Sequence, residues 1–178
     1  MIAWQDALFT PRRVAVVGAS ATPGKAGALF LRNLAAVESG YGGEVVGIHP
    51  SAREVLGFPA FPNLAAVAEP VDLAVVVTPP EAVPQVVADC GTARVPVAVI
   101  VSGGFAETGP RGAELQREVA HTAAGKGVRI LGPNCFGVIN TAVGLNCSLS
   151  IGLPRRGTIS VITQSGAYGM AAFLPLGR

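Results

Sequence analysis

The chain has 178 residues, half of them apolar and 13% charged, with a formal net charge of +2. At about 100–200 residues per domain this allows one domain, or one and a piece of another, and the composition supplies ample material for a buried core and little for a disordered tail. The near-neutral charge, with 13 basic residues that never run longer than two, excludes a general nucleic-acid binder, and no apolar stretch approaches the roughly 18 residues of a membrane span.

In chain order, Trp4 to Pro11 reads as an N-terminal arm anchored by Leu8 and Phe9. Val14–Gly18 is a β-branched run that fits a strand covered on both faces. The next helix carries Gly27, Phe30, Leu31, Leu34 and Val37 on one stripe, so Gly27 faces the sheet and permits close approach. Gly40 to Gly43 ends that helix, and Glu44–Ile48 is the second strand. From Val55 to Pro70 three prolines break the pattern, leaving room for one short helix over Leu64 to Val67 capped by Asn63. Val71–Val77 is the third strand, and Thr78-Pro79-Pro80 opens a helix that buries Val83, Val86, Val87 and Cys90. Pro96–Ser102 is the fourth strand. After it, a helix over about Pro110 to Ala124 buries Leu115, Val119 and Ala123 and turns Glu114, Arg117, Glu118 and His121 outward. Val128–Leu131 is the fifth strand. Strands alternating with helical patterns give an α/β, doubly wound parallel sheet, whose ligand lies at the carboxyl ends of the strands.

Those five carboxyl ends read GASATPGKAG, HPSAR, TPPEAVP, SGGFAETG and GPNCFGVIN. Each loop alone is an ordinary turn; five on one edge make a site. The first resembles a phosphate-binding corner, but the spacing from Gly18 to Gly24 is not G-x-G-x-x-G, and strand two ends in His49-Pro50 with no carboxylate for ribose hydroxyls. Lys25 in the first helical turn opposes the helix dipole, which suits either a solvated lysine or a bound anion. With Arg53 nearby for a phosphate on the ribose, coenzyme A or NADP fits better than NAD. Cys90, Cys135 and Cys147 form neither a disulfide framework nor a zinc pattern, and the absence of a leader-like start points to the cytoplasm. Cys135 has no base beside it in GPNCFG and reads as structural or ligand-adjacent. His121, three residues after Glu118 and four after Arg117 on its helix, reads as part of a solvated face.

The collinear segments VAVVGAS-x-x-P-x-K-x-G, HP, VLGFPAFPNL, VDLAVVVTPPEAVPQVV, SGGFAETG, GPNCFGVIN, LNCSLS and GTISVITQSGA, from about Leu8 to Ala172, resemble the N-terminal part of NDP-forming acyl-CoA synthetases. Relatives of that type include ADP-forming acetyl-CoA synthetase and, more distantly, the α subunit of succinyl-CoA synthetase. The resemblance implies a CoA-binding Rossmann-type domain over residues 1–150, then, over 151–178, a linker and the start of a flavodoxin-like ligase domain with Thr158–Thr163 as its first strand. It assigns Gly18, Ala19, Ser20, Pro23, Gly24 and Lys25 to CoA, with His49, Pro50 and Arg53 at the adenosine end. Thr78, Pro79 and Ser102, Gly103, Gly104 and Phe105 line the groove, and Pro133, Asn134 and Cys135 lie at its reactive end. Ser165 and Gly166 match a helix start that receives the phosphate of a phosphohistidine, which is physically reasonable for exposed N–H groups. ADP or ATP with magnesium, the remaining ligase and ATP-grasp parts, and a homo-oligomer belong to the full-length enzyme.

Two departures from the family pattern stand out. The family usually has Asn-Pro where this chain has His49-Pro50, and neither His49 nor His121 matches the phosphohistidine, which lies beyond the QSGA segment. The expectation is therefore a chain that binds CoA and is inactive alone, with Pro175 and Gly177 ending its last helix early. A stand-alone CoA or nucleotide sensor and an NADP-linked oxidoreductase domain are the alternatives; the GTISVITQSGA segment speaks against the first and the missing hydride-transfer set against the second.

Overall fold

The computed structural model describes residues 2–36 and 40–173. Its core is a sheet of β-branched strands: β1 (Arg13–Val17), β2 (Glu44–Ile48), β3 (Glu54–Val55), β4 (Phe58–Phe61), β5 (Leu73–Val76), β6 (Val97–Ile100) and β7 (Arg129–Leu131). The order across the sheet is β3-β4-β2-β1-β5-β6-β7. All neighbours pair parallel except the short β3–β4 ribbon. Counted by appearance, the parallel strands run 3-2-1-4-5-6, the doubly wound order whose switch point lies between β1 and β5.

Alternate residues build two cores, as the period of a strand requires. Val14, Val16, Leu73, Val75, Val97 and Val99 face α2 (Ala26–Ala35), where Phe30, Leu31 and Leu34 are buried against them. Ala15, Val17, Ala74, Val76, Ala98 and Ile100 face α3 (Val83–Thr92) and α4 (Pro110–Lys126), with Val83, Val87, Cys90, Val119 and Ala123. Cys90 is a core thiol, and His121 is exposed. Val37, expected on the α2 stripe, lies outside the described residues.

Four expectations are corrected. In α1 (Trp4–Phe9), Ala7 and Leu8 are buried while Phe9 is 44% exposed, because the residue after Leu8 turns about 100° away round the helix. The proline-rich segment is not strand-free. Leu56 and Gly57, at φ 53° and 85°, form a tight turn between β3 and β4, and Pro59 is tolerated at this edge. GVIN and LNCS form an antiparallel hairpin, β8 (Gly137–Asn140) and β9 (Leu145–Ser148), which covers the α2 side with Val138, Leu145 and Cys147. Finally, Thr158–Thr163 forms no strand, since no neighbour offers it a ladder; Ile159 and Ile162 are exposed there, and α5 (Gly166–Phe173) follows. The prolines and glycines expected to end that helix, Pro175 and Gly177, lie outside the described residues.

A buried polar network joins α2 to the hairpin and the segment after it. Asn33 Nδ2 donates to the carbonyls of Ser148 (2.9 Å) and Ser150 (2.8 Å), and Asn146 Nδ2 donates to Gly152 O (2.9 Å). Ser148 Oγ donates to Asn146 Oδ1 (2.7 Å), so these buried amides keep their partners, as burial demands.

Candidate functional site

The loops after β1, β2, β5, β6 and β7 gather at one edge. At the first, Gly18 has φ 94°, and a Cβ there would sit 3.2 Å from the Val77 carbonyl, so only glycine lets β1 turn against β5. The N–H groups of Gly18 and Ala19 both donate to Ile48 O at 3.2 Å, tying this loop to β2. Ser20 Oγ accepts from Thr22 N (3.1 Å), and Lys25 N donates to Thr22 O (3.2 Å), folding the loop into the start of α2. No side chain caps that helix, and Pro23, Gly24 and Lys25 are exposed beside it. Backbone donors at an uncapped helix start suit an anion. Gly27 is buried at this corner, where a Cβ would crowd Gly18 O and lie 3.0 Å from Ser20 N.

His49, half-buried after β2, donates its N–H to Phe61 O (2.9 Å). Its ring Nδ1 accepts from Ala52 N (3.0 Å) and Ser51 N (3.3 Å). Arg53 is exposed, with its carbonyl accepting from Ala60 N at 2.9 Å. Beneath this turn lies a mainly apolar cavity of about 210 Å³ lined by Val17, Gly18, Ile48, Pro50, Leu64 and Val86, with Asn63, Thr78 and Asp89 adding polar atoms. Thr78 Oγ1 is buried without a hydrogen-bond partner. An orphaned hydroxyl at an apolar cleft is what a ligand with an aromatic base and polar substituents would satisfy. As lining residues of the site, Asn63, Leu64, Val86 and Asp89 are not marked in the sequence, because they come from the prolyl segment and the middle of α3 rather than from a strand end. Asn63 does cap its short helix as expected, accepting from Ala66 N at 3.0 Å.

The next two loops are braced to each other. Ser102 Oγ donates to Thr78 O (2.6 Å), and Ser102 O accepts from Asn134 N (2.9 Å). Gly103 packs near Asn134, and Pro79 is exposed at the rim. The amides of Gly104 and Phe105 are taken by Glu107 Oε1, at 2.6 and 3.1 Å, which holds the Glu107 carboxyl below its usual range through the Gly104 N–H first. The Phe105 ring is fully buried, so it is a core anchor and not a ligand-facing side chain; a glycine-rich loop offers no periodicity to reveal this. Pro133 follows a cis peptide bond, and Cys135 Sγ donates to Ile100 O (3.3 Å). Burial pushes the Cys135 thiol up to about 11, the environment of a structural thiol.

Ser165 caps α5: its Oγ accepts from Tyr168 N (3.4 Å), while Thr163 Oγ1 and the Ser165 backbone bond reciprocally at 3.2 Å. A Cβ on Gly166 would be 3.5 Å from Phe136 Cβ, so the expected phosphate-receiving helix start lies against the GPNCFG loop. A larger open groove, about 810 Å³ between α3 and α4, lies on the outer helical layer and shares only Gly104 with the expected residues. Among the described residues no cluster of acids, histidines and cysteines could hold a metal, and no helix is long and apolar enough to cross a membrane.

Residues 12–141 match the family model described as a CoA binding domain. The acetate–CoA ligase [ADP-forming] I of Archaeoglobus fulgidus is 42% identical over 166 residues, 93% of this chain and 24% of that protein. The α subunit of the corresponding Pyrococcus furiosus ligase is 41% identical over 93% of this chain and 36% of its own length. A solved acetyl-coenzyme A synthetase 1 from Ca. Korarchaeum cryptofilum, described as dinucleotide forming, superposes with a TM-score of 0.89 at 39% identity, covering 96% of this chain and 36% of that one. The chain thus spans about a quarter to a third of the length of these relatives.

Proposed function

The chain belongs to the CoA-binding domain family, and from that premise we propose that residues 1–150 hold coenzyme A for an ADP-forming acyl-CoA ligase, with residues 151–178 beginning its next domain. The observation that supports this best is the juxtaposition at the switch point: an uncapped α2 start beside Gly18, and an apolar cavity with the unpartnered Thr78 hydroxyl next to it. In this reading the loop of Gly18, Ala19, Ser20, Pro23, Gly24 and Lys25 takes the pyrophosphate through the Ser20 and Gly24 amides and the Lys25 ammonium, while the Gly18 and Ala19 amides tie the loop to Ile48 O. The cavity takes the adenine, with His49 and Pro50 above it and Arg53 toward the ribose phosphate. Thr78, Pro79, Ser102, Gly103 and Gly104 form the groove wall along which the pantetheine arm runs to Pro133, Asn134 and Cys135. The loops thus orient the thiol and shield it, and Ser165 and Gly166 offer a phosphate site beside the same end.

The reaction of the whole enzyme would convert acyl-CoA, phosphate and NDP to acid, CoA and NTP, reversibly, in the cytoplasm and in a homo-oligomeric assembly that includes nucleotide-binding parts. The free Cys90, Cys135 and Cys147 suit a reducing compartment. Titration calorimetry with CoA, dephospho-CoA, NAD and NADP tests the ligand. CoA should bind tightest, and Arg53→Ala should remove most of the preference for CoA over dephospho-CoA. Tighter binding of NADP than of CoA would overturn the reading.

A further inference from the structure

We propose that His49 is a positioning residue of this site: its neutral Nε2–H tautomer holds the turn 49–53 that presents Pro50 and Arg53 to the adenosine end of the ligand, so that acid releases that end. The inference rests on the CoA reading above and adds a residue role and a pH response to it.

The turn is held by the side chain from within. Nδ1 of His49 accepts from two backbone amides, Ala52 N at 3.0 Å and Ser51 N at 3.3 Å. An imidazole nitrogen can accept only while it carries no proton, so the neutral ring must bear its hydrogen on Nε2. The same turn is fixed at its ends, by His49 N to Phe61 O and by Ala60 N to Arg53 O, both 2.9 Å. Between those two ladder-like bonds, among the described residues, the amides of residues 51 and 52 bond only to the imidazole. Pro50 lines the cavity beneath, and Ala52 packs against the core on the α2 side.

Protonation turns the acceptor into a donor aimed at two other donors, and the turn must open. The charged groups beside it are Arg53 and Glu54 on the same segment, and Asp89 of α3 lines the cavity below Pro50. Among the described residues none of them bonds the ring, and β4 presents only the Phe61 carbonyl to the His49 backbone. No side-chain partner is therefore in place to compensate the lost acceptor. An Asn side chain offers an oxygen at nearly the position of Nδ1 and does not titrate, so it should keep the turn and lose the acid response.

The test compares the wild-type chain with His49→Asn and His49→Ala. In the wild type, the Ser51 and Ala52 amide resonances should move together with the His49 ring resonances in an acid titration begun at about pH 8. In His49→Asn the same amides should stay still. By calorimetry at about pH 8, His49→Asn should bind CoA within about threefold of wild type and His49→Ala about tenfold more weakly, roughly the worth of one or two backbone hydrogen bonds. Wild-type affinity should fall about tenfold more than that of His49→Asn over the same pH range, the Asn variant removing any titration of the ligand itself. Equal affinity of His49→Ala and wild type, or equal acid slopes of wild type and His49→Asn, would overturn the proposal. CoA binding to none of the proteins would overturn the CoA reading itself, and the amide titration would then decide separately whether the imidazole holds the turn.

Discussion

Gly27→Ala is the sharpest perturbation of the proposed cradle. The added Cβ would lie 3.0 Å from Ser20 N, 3.1 Å from Ala19 Cα and closer still to Gly18 O, against the roughly 3.5 Å at which such atoms meet without repulsion. All three neighbours are backbone, so no side chain can swing aside, and either α2 or the loop 18–20 must move. Overpacking of this kind destabilises by about 1–3 kcal/mol, while Ala in place of helical Gly returns up to about 1 kcal/mol. The net expectation is a loss of about 1–2 kcal/mol, or a melting temperature lower by roughly 2–8 °C for a chain of this size. Gly125→Ala is the matched control, since nothing lies within 4 Å of its Cβ position in α4. It should stabilise by up to about 1 kcal/mol, the helix term alone. Urea unfolding of the three proteins reads the stability, and CoA calorimetry reads the cradle, where Gly27→Ala should weaken binding by at least about tenfold. A Gly27→Ala protein as stable as the Gly125→Ala control would refute the close-approach reasoning, and unchanged CoA affinity would refute the location of the cradle.

Asp72 is 3% exposed and accepts from Arg12 N at 2.8 Å, so Asp72→Ala should lower stability by about 1.5–3 kcal/mol in urea melts by stranding that amide. With its thiol pushed up to about 11, Cys135 should carry about one thiolate in a thousand at pH 8 and resist alkylation until the pH passes about 10, while Cys135→Ala keeps its CoA affinity. Rapid labelling at pH 7 would argue for a reactive site there. The Glu107 carboxyl is lowered by backbone N–H donors, so its contribution is fully present above the ordinary carboxyl range and is lost as the pH falls through the lowered value. The protection factors of the Gly104 and Phe105 amides, exchange taken relative to its intrinsic rate at each pH, should therefore fall in acid in the wild type, and in Glu107→Gln they should be lower already at neutral pH with a flatter acid response.

Much of the frame was legible because it depends on local patterns. Val14–Val17 had to be a doubly covered strand, the stripe Gly27, Phe30, Leu31 and Leu34 had to face it, and Asn63 had to cap its turn; all are observed. Strand β4 was hidden because Pro59 lies within it and Pro62 just after it, and because its hairpin turn is Leu56-Gly57, where positive φ at a leucine has no sequence signal. The β9 segment LNCS was hidden for another reason: all four residues are buried, so the alternation that marks a half-exposed strand is missing. Asn146 and Ser148 can be buried only because they bond each other and Gly152, and Asn33 on α2 reaches the same region through the Ser148 and Ser150 carbonyls, a closure over more than a hundred residues that no local pattern carries.

The site divides along the same line. The proposed anion corner is a backbone feature: Gly18 and Gly27 are needed because two chain segments meet there, and glycine is visible in a sequence. Its cavity is a side-chain feature assembled from Val17, Ile48, Leu64, Val86 and Asp89, residues that look like ordinary core or helix surface until the strand order brings them together. The His49 turn lies between these cases. In sequence the imidazole looked only like a loop residue near a ligand, and its two backbone donors show that its place is fixed by Nδ1. In the proposed reading the adenosine end is held through an acceptor that a proton can remove, whereas the pyrophosphate corner is held by backbone amides, which do not titrate.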